Sequence, residues 1–210
     1  MQFSWRQLDQ PFGVLAPMAD VTDRAYRHMV ITHSRMGQEG SRLAAVWTEF
    51  VSADGLCHER GKWQLLRDLQ YHNTEHPIIA QIFGSNPKTL YEAAALIADL
   101  GFDGIDINMG CPVRKVVTKG YCSGLIKNPS LAKELYLAAF EGAGGLPVSI
   151  KTRIGYGKIA TEEWIGFLLT LNPAAISIHA RTAAEMSKVP AHWEEIKKAV
   201  GLRNQMKSKT

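Results

Sequence analysis

PIIAQIFGSNPKTLYEAAALIADLGFDGIDINMG, residues 77–110, decides the fold. Its first run, PIIAQIFG (77–84), and its last, FDGIDINMG (102–110), are short, apolar at their centres and polar at their ends. Parallel strands buried on both faces have this composition when their C-terminal tips are exposed. Between the two runs the punctuation predicts a helix. Ser85 or Asn86 caps it, Pro87 sits in its first turn and Gly101 follows its last. Leu90, Ala94, Ile97 and Leu100 then share one face, which can pack on a sheet. The stretch reads as one βαβ unit.

Working outward, the same kind of run recurs at GVLAPM (13–18), AAVWTEF (44–50), LPVSIKTRI (146–154) and AAISIHART (174–182). KNPSLAKELYLAAFEGAGG repeats the helical device, with Asn128 as cap, Pro129 in the first turn and Gly142 near the stop. The last helix, AHWEEIKKAVGLRNQ, puts Trp193, Ile196 and Val200 on one side and lysines on the other. Strand alternating with helix at roughly 30-residue steps is the rhythm of a parallel sheet. An open doubly wound sheet that binds a dinucleotide would carry G-x-G-x-x-G after an early strand. The first strand leads instead into APMADVTDRAYR. Polar residues gather at strand ends along the whole chain, which suits a barrel with its chemistry on one rim. The predicted fold is therefore α/β, a TIM (β/α)8-type barrel, with only about six βα units present where closure takes eight. No linker divides residues 1–210, which read as one incomplete barrel domain.

Composition bounds the rest. The chain has 210 residues, 46% hydrophobic and 21% charged, enough for a sizeable core and too apolar for a disordered segment. No run approaches the ~18 apolar residues of a membrane span, and MQFSWRQLDQPFG lacks the layout of a secretory signal. A net charge of +4 permits an anionic partner without requiring one. Cys57, Cys111 and Cys122 form neither a CxxC pair nor an even set, which points to a reducing cytoplasm, no disulfide framework and no structural zinc.

In a barrel the strand tips converge on one mouth: Pro17 with Met18, Thr48 with Glu49, Gln81, Asn108 with Cys111, Lys151 with Arg153, and His179 with Arg181. The set holds no facing carboxylate pair for glycoside hydrolysis and no metal-ligand cluster. Hydrogen-bond donors, a few cations and one thiol suit a flat, heteroatom-rich, anionic ligand. Cys111, in NMGCPVRK, reads either as a small buried thiol beside a turn or as a reactive group presented by Gly110 and Pro112. The strand-end setting favours the second. With an ordinary pKa of about 8.5, the thiol is expected to be mostly protonated and able to act as an acid. Cys57 and Cys122 lack that setting and read as structural. Lys151 is either a solvated lysine or a fixed charge in the mouth that stabilises a developing anion. His179 is either a satisfied core histidine or, with Arg181, a cationic corner for phosphate or a carbonyl. Gln81 and Asn108 can each read a flat ring through an amide. Arg114, Lys115 and Lys119 form a basic loop, by default solvated, alternatively in contact with a polyanion. Lys115 is expected to point away from the Cys111 sulfur, since a close ammonium lowers a thiol's pKa.

APMADVTDRAYR, TEFVSADGL, QIFGSNP, DINMGCPVRKV, GLIKNP, SIKTRIG and SIHART resemble, in order, the motifs of the flavin-dependent tRNA-dihydrouridine synthases, from about Gly13 to Trp193. The resemblance implies a TIM barrel holding FMN in its mouth, with NADPH as reductant and a tRNA uridine as substrate. It implies that Cys111 protonates C5 of the uracil while hydride reaches C6. It further implies flavin contacts from Pro17, Met18, Gln81, Asn108, Lys151 and His179, and substrate contacts from Asn108, Arg181, Arg114 and Lys115. The family's last two strands carry glycine-rich phosphate loops, and a helical C-terminal domain helps to hold the tRNA. The motifs of neither occur in these 210 residues. The chain is thus expected to be a fragment or a truncated frame, with strands one and six as unpaired edges that a partner could cover. Tyr121-Cys122-Ser123 stands where glycine and alanine are commoner in the family. Two rivals remain: an FMN barrel acting on a free pyrimidine, of the dihydroorotate dehydrogenase kind, and a catalytically inactive module that binds RNA or a protein partner.

Overall fold

The computed structural model describes residues 3–208 and 210. Six parallel strands run in chain order, each paired with its predecessor: β1 (Gly13–Leu15), β2 (Leu43–Ser52), β3 (Ile78–Phe83), β4 (Gly104–Met109), β5 (Val148–Arg153) and β6 (Ile176–His179). Helices alternate with them: α1 (Arg24–Ser34), α2 (Ala53–Leu56), α3 (Glu59–Asp68), α4 (Pro87–Asp99), α5 (Arg114–Val117), α6 (Pro129–Gly142), α7 (Thr161–Thr170) and α8 (Trp193–Gln205). The result is a curled partial barrel of the TIM type, with β1 and β6 at its two edges. None of the described helices is long and apolar enough to cross a membrane.

The period of two along each strand separates two environments. One face carries Val46, Ile78, Ala80, Ile82, Ile105, Ile107, Val148 and Ile150 into the core beneath α4, α6 and α7. The other begins with an apolar floor of Ala45, Trp47 and Ile79, on which the N-terminal turn sits. Trp5 stacks on Trp47 with ring centres 5.3 Å apart, and Phe3 meets Trp5 edge-on at 4.7 Å. Above that floor the same face turns polar at Gln81, Asp106 and Asn108, Ser149 and Lys151, and Ser177 and His179. The two faces do different work: one holds the helices on and the other lines the mouth.

Asn86 caps α4 by accepting from the Lys88 N–H, and Asn128 caps α6 by accepting from the Leu131 N–H. Leu90, Ala94 and Ile97 are fully buried, but Leu100 caps the end of α4 and is 39% exposed, so the packed face stops one turn early. The first predicted run is strand only to Leu15. Pro17 lacks a ladder donor, and residues 18–22 close a turn in which Thr22 Oγ1 donates to the Met18 carbonyl and accepts its N–H. On α8, Trp193 and Val200 do share a side, yet they are 75% and 43% exposed, on a groove beside β6.

Gly142 does more than end a helix. A Cβ there would fall 2.3 Å from the Tyr91 carbonyl oxygen, so α6 and α4 touch backbone to backbone. Gly142→Ala is expected to cost about 2 kcal/mol or more by overpacking, read as a lower urea midpoint; an unchanged midpoint would contradict this contact.

Candidate active site

The site is built on the C-terminal halves of β3, β4 and β5. Parallel register sets Gln81 opposite Asp106, Asp106 opposite Ser149, and Asn108 opposite Lys151. Asp106 is wholly buried. Ser149 Oγ donates to its Oδ1 at 2.6 Å and Gln81 Nε2 donates to its Oδ2 at 2.6 Å. Burial pushes the Asp106 carboxyl up to about 6, while those two hydrogen bonds and the charge of Lys151 pull it back down.

With its nitrogen turned to Asp106, the Gln81 amide presents Oε1 to Asn108, whose Nδ2 donates to it at 2.9 Å. Asn108 must then aim Oδ1 at the loop that follows β4. That oxygen accepts the Gly110 N–H at 3.0 Å and the Cys111 N–H at 2.9 Å. Arg153 holds the same loop from β5, donating from Nε to the Gly110 carbonyl at 2.8 Å and from Nη1 to the Thr182 and Met186 carbonyls. A buried carboxylate thus fixes, through two amides, the backbone that carries the thiol.

Cys111 is half-buried and its thiol pKa is held down to about 6. The largest cause is a hydrogen bond from the Cys122 thiol; burial opposes it, and the Val113 backbone and the charges of Arg153 and Lys151 add to it. Cys111 is thus more acidic than the ordinary thiol that the sequence reading assumed. The cations that act on Cys111 lie on β5, and Lys115 is exposed on α5. Arg114 is exposed beside it. Cys122, read from sequence as structural, is fully buried.

Lys151 is half-buried, its ammonium makes no hydrogen bond or ion pair among the described residues, and burial lowers its pKa. It lines a cavity of about 280 Å³ together with Pro17, Trp47, Ser177 and His179. Burial, then the charges of Arg153, Lys151 and Arg181, depress His179 to about 4. The ring is neutral at pH 7 and faces Arg181 Nη1 at 2.9 Å, in the role of acceptor. The expected cationic corner is thus a single cation, Arg181, whose Nε also donates to the Val189 carbonyl at 2.6 Å. Met18 is exposed at the rim, whereas Gln81 is fully buried and already engaged on both amide atoms. A larger cavity, about 610 Å³, opens beside Arg24, His28 and Arg67. It shares only Glu49 with the strand-tip set, so the chemistry belongs to the smaller one. Among the described residues no group of three His, Cys, Asp or Glu could hold a metal ion.

The set can hold an anionic, planar ligand: an ammonium without a partner among the described residues, a neutral imidazole and an acidified thiol stand at the strand ends. The depressed histidine gives a direct check. An NMR titration should place the His179 midpoint near 4, with the ring still neutral at pH 6; a midpoint above 6 would remove the cations from its surroundings.

Residues 14–203 match the family model described as dihydrouridine synthase (Dus). A "Probable tRNA-dihydrouridine synthase 2" from Bacillus subtilis (strain 168) is 46% identical over 203 residues, covering 96% of this chain and 60% of that protein. A "Probable tRNA-dihydrouridine synthase" from Staphylococcus aureus (strain Mu50 / ATCC 700699) is 42% identical over 207 residues, 98% of this chain and 60% of that protein. The chain therefore spans about three-fifths of the length of these relatives. Among solved structures, the crystal structure of an archaeal fructose 1,6-bisphosphate aldolase aligns at a TM-score of 0.39 and 14% identity, over 77% of this chain and 57% of that one. So loose a likeness carries no argument. The family match over residues 14–203 and the 46% identity over nearly the whole chain do, and by them this chain belongs to the dihydrouridine synthase family.

Proposed function

We propose that this chain carries the catalytic face of an enzyme that reduces a uridine of tRNA to 5,6-dihydrouridine, with FMN as cofactor and NADPH as reductant. The supporting observation is the meeting of Cys111 and Lys151 at one mouth, at the ends of adjacent strands paired Asn108 to Lys151. The donor set fits the flavin ring: among the described residues the Lys151 ammonium has no hydrogen-bond partner to give up, His179 is neutral, and the cavity between them is walled by Trp47 and Pro17. Lys151, His179, Asn108, Pro17 and Met18 would hold it, with Gln81 acting through Asn108. Bound there, the flavin would supply hydride for the uracil.

The chain's own residues supply the rest. Cys111, in its protonated form, delivers the proton that C5 still needs after hydride addition, and is left as the thiolate that Lys151 and Arg153 favour. Lys151 opposes the negative charge that develops on ligand in a half-buried setting, where a fixed cation counts for more than in water. Arg181 and the exposed Arg114 and Lys115 face the polyanionic substrate. The uridine must leave its stack to enter the mouth. A tRNA substrate implies a cytoplasmic setting. We also propose that the groove between the N-terminal turn and β6, lined by Trp5, Phe12, Ile178 and Trp193, is covered by further polypeptide, and that residues 1–210 form an incomplete barrel domain. A free pyrimidine would make no use of the basic loop, and an inactive binding module would make none of the organised thiol.

In a chain extended to the relatives' full length, Cys111→Ala should keep flavin and lose dihydrouridine formation by about 10²-fold or more. Lys151→Ala should weaken flavin binding or slow reduction. Mass spectrometry of tRNA and flavin absorbance read both, and unchanged turnover in Cys111→Ala would remove the thiol from its role. Residues 1–210 alone should retain FMN well below one equivalent; stoichiometric flavin would contradict the incomplete phosphate site.

A further inference from the structure

Helix α3 packs on α2 through one face. A Cβ at Gly61 would fall 2.9 Å from the Gly55 carbonyl oxygen, Leu65 lies against the same glycine, and Leu69 at the helix end is buried. Positions 61, 65 and 69 form one stripe of a 3.6-residue period, so Arg60, Trp63 and Arg67 fall on the opposite side. All three are exposed, Trp63 to 78%. A lone exposed apolar side chain means little, but this one stands between two arginines on one stripe. Among the described residues none of the three side chains has a hydrogen bond, ion pair or ring contact.

Arg67 also lines the cavity of about 610 Å³, with Arg24 and His28 of α1 and Glu49 at the tip of β2. Three of the cavity's carboxylates serve the protein's own donors. Asp23 accepts the Tyr26 N–H, Glu49 accepts the Asp20 N–H, and Glu75 takes Arg27 and the His72 N–H. What is left uncommitted among the described residues is two guanidinium groups, Arg24 and Arg67, and one carboxylate, Asp68.

We propose that this cavity and the outward stripe of α3 hold a nucleotide of the RNA substrate other than the one reduced. Its phosphate takes the donors of Arg24 and Arg67, its ribose 2′-hydroxyl donates to Asp68, and its base stacks on Trp63. The residue types match the three parts of a ribonucleotide. Guanidinium forks fit phosphate oxygens, a carboxylate accepts from a ribose hydroxyl, and an indole offers its face to any base. Arg60, one turn before Trp63, extends the stripe for a neighbouring phosphate. Glu49 belongs both to this cavity and to the strand-tip set, so RNA whose uridine enters the mouth finds its next contacts here. The assignment to tRNA rests on the function proposed above, whereas the contact itself needs neither flavin nor turnover.

The test is fluorescence anisotropy of a labelled, unmodified tRNA transcript with this chain over a range of salt concentrations. Trp63→Ala should weaken binding about tenfold at every salt, and Trp63→Phe should recover most of the loss because it keeps a stacking face. Arg24→Ala and Arg67→Ala should each lower the slope of log affinity against log salt by about one. Lys133→Ala removes an exposed charge on α6 and should leave affinity and slope unchanged. The substituted side chains are exposed, so urea midpoints should match the wild type. Wild-type affinity and slope in Trp63→Ala and Arg67→Ala overturn the proposal, as does an equal loss in Lys133→Ala. No measurable binding by the wild type at low salt overturns it too, and so does weaker NADPH binding with tRNA affinity intact. A chain that binds no flavin and forms no dihydrouridine, yet loses tRNA affinity in Trp63→Ala and Arg67→Ala, fails the functional reading and leaves this surface standing.

Discussion

Asp106 organises the site without reaching it. A carboxylate sunk in the centre of a parallel sheet is costly unless its oxygens are fully engaged, and here Ser149 and Gln81 engage both. Because Asp106 only accepts when ionised, it fixes which way the Gln81 amide points. Gln81 fixes Asn108, and Asn108 gathers the Gly110 and Cys111 N–H groups. An apolar residue at 106 would leave both amides free to turn over, and the thiol loop would lose the oxygen that holds it.

The division of the sheet into two faces makes this possible. Helices α4, α6 and α7 dry out one side, so the core is supplied there and the inner face can be polar towards its mouth. The floor of that face is closed by Trp5 on Trp47. Above it, cations and acceptors are placed so that each alters its neighbours. Burial, then Arg153, Lys151 and Arg181, keep His179 neutral, and Arg153 and Lys151 favour the ionised form of Cys111. Charge at this site is a property of the assembly, with β4, β5 and β6 each contributing a part.

Much of the fold was legible because parallel strands leave a strong mark. PIIAQIFG, FDGIDINMG and LPVSIKTRI contain β3, β4 and β5, and the Asn-Pro pairs at 86–87 and 128–129 mark the starts of α4 and α6. GVLAPM misled at its end because the apolar signal continues through Pro17, where the ladder cannot. Of the site, the strand tips were legible as positions and their protonation was not. His179 looked cationic beside Arg181, and only the fold buries the ring and brings Arg153 and Lys151 close enough to keep the proton off. Cys122 stands eleven positions beyond Cys111 on a left-handed backbone that periodicity does not show, and the Ser123 N–H beside it donates to the Cys111 carbonyl. Asp106 carried a usable signal, a carboxylate inside the apolar run GIDINM, since a buried charge demands partners.

Amide hydrogen exchange tests the centre of this account most directly. The Gly110 and Cys111 N–H groups lie just past the end of β4, where loop amides ordinarily exchange fast. If the relay from Asp106 holds them, they exchange in the wild type as slowly as Ile107 within the strand, and in Asp106→Ala they alone are released while Ile107 stays protected. Fast exchange at both in the wild type, or equal protection in Asp106→Ala, would show that the buried carboxylate does not set the thiol loop.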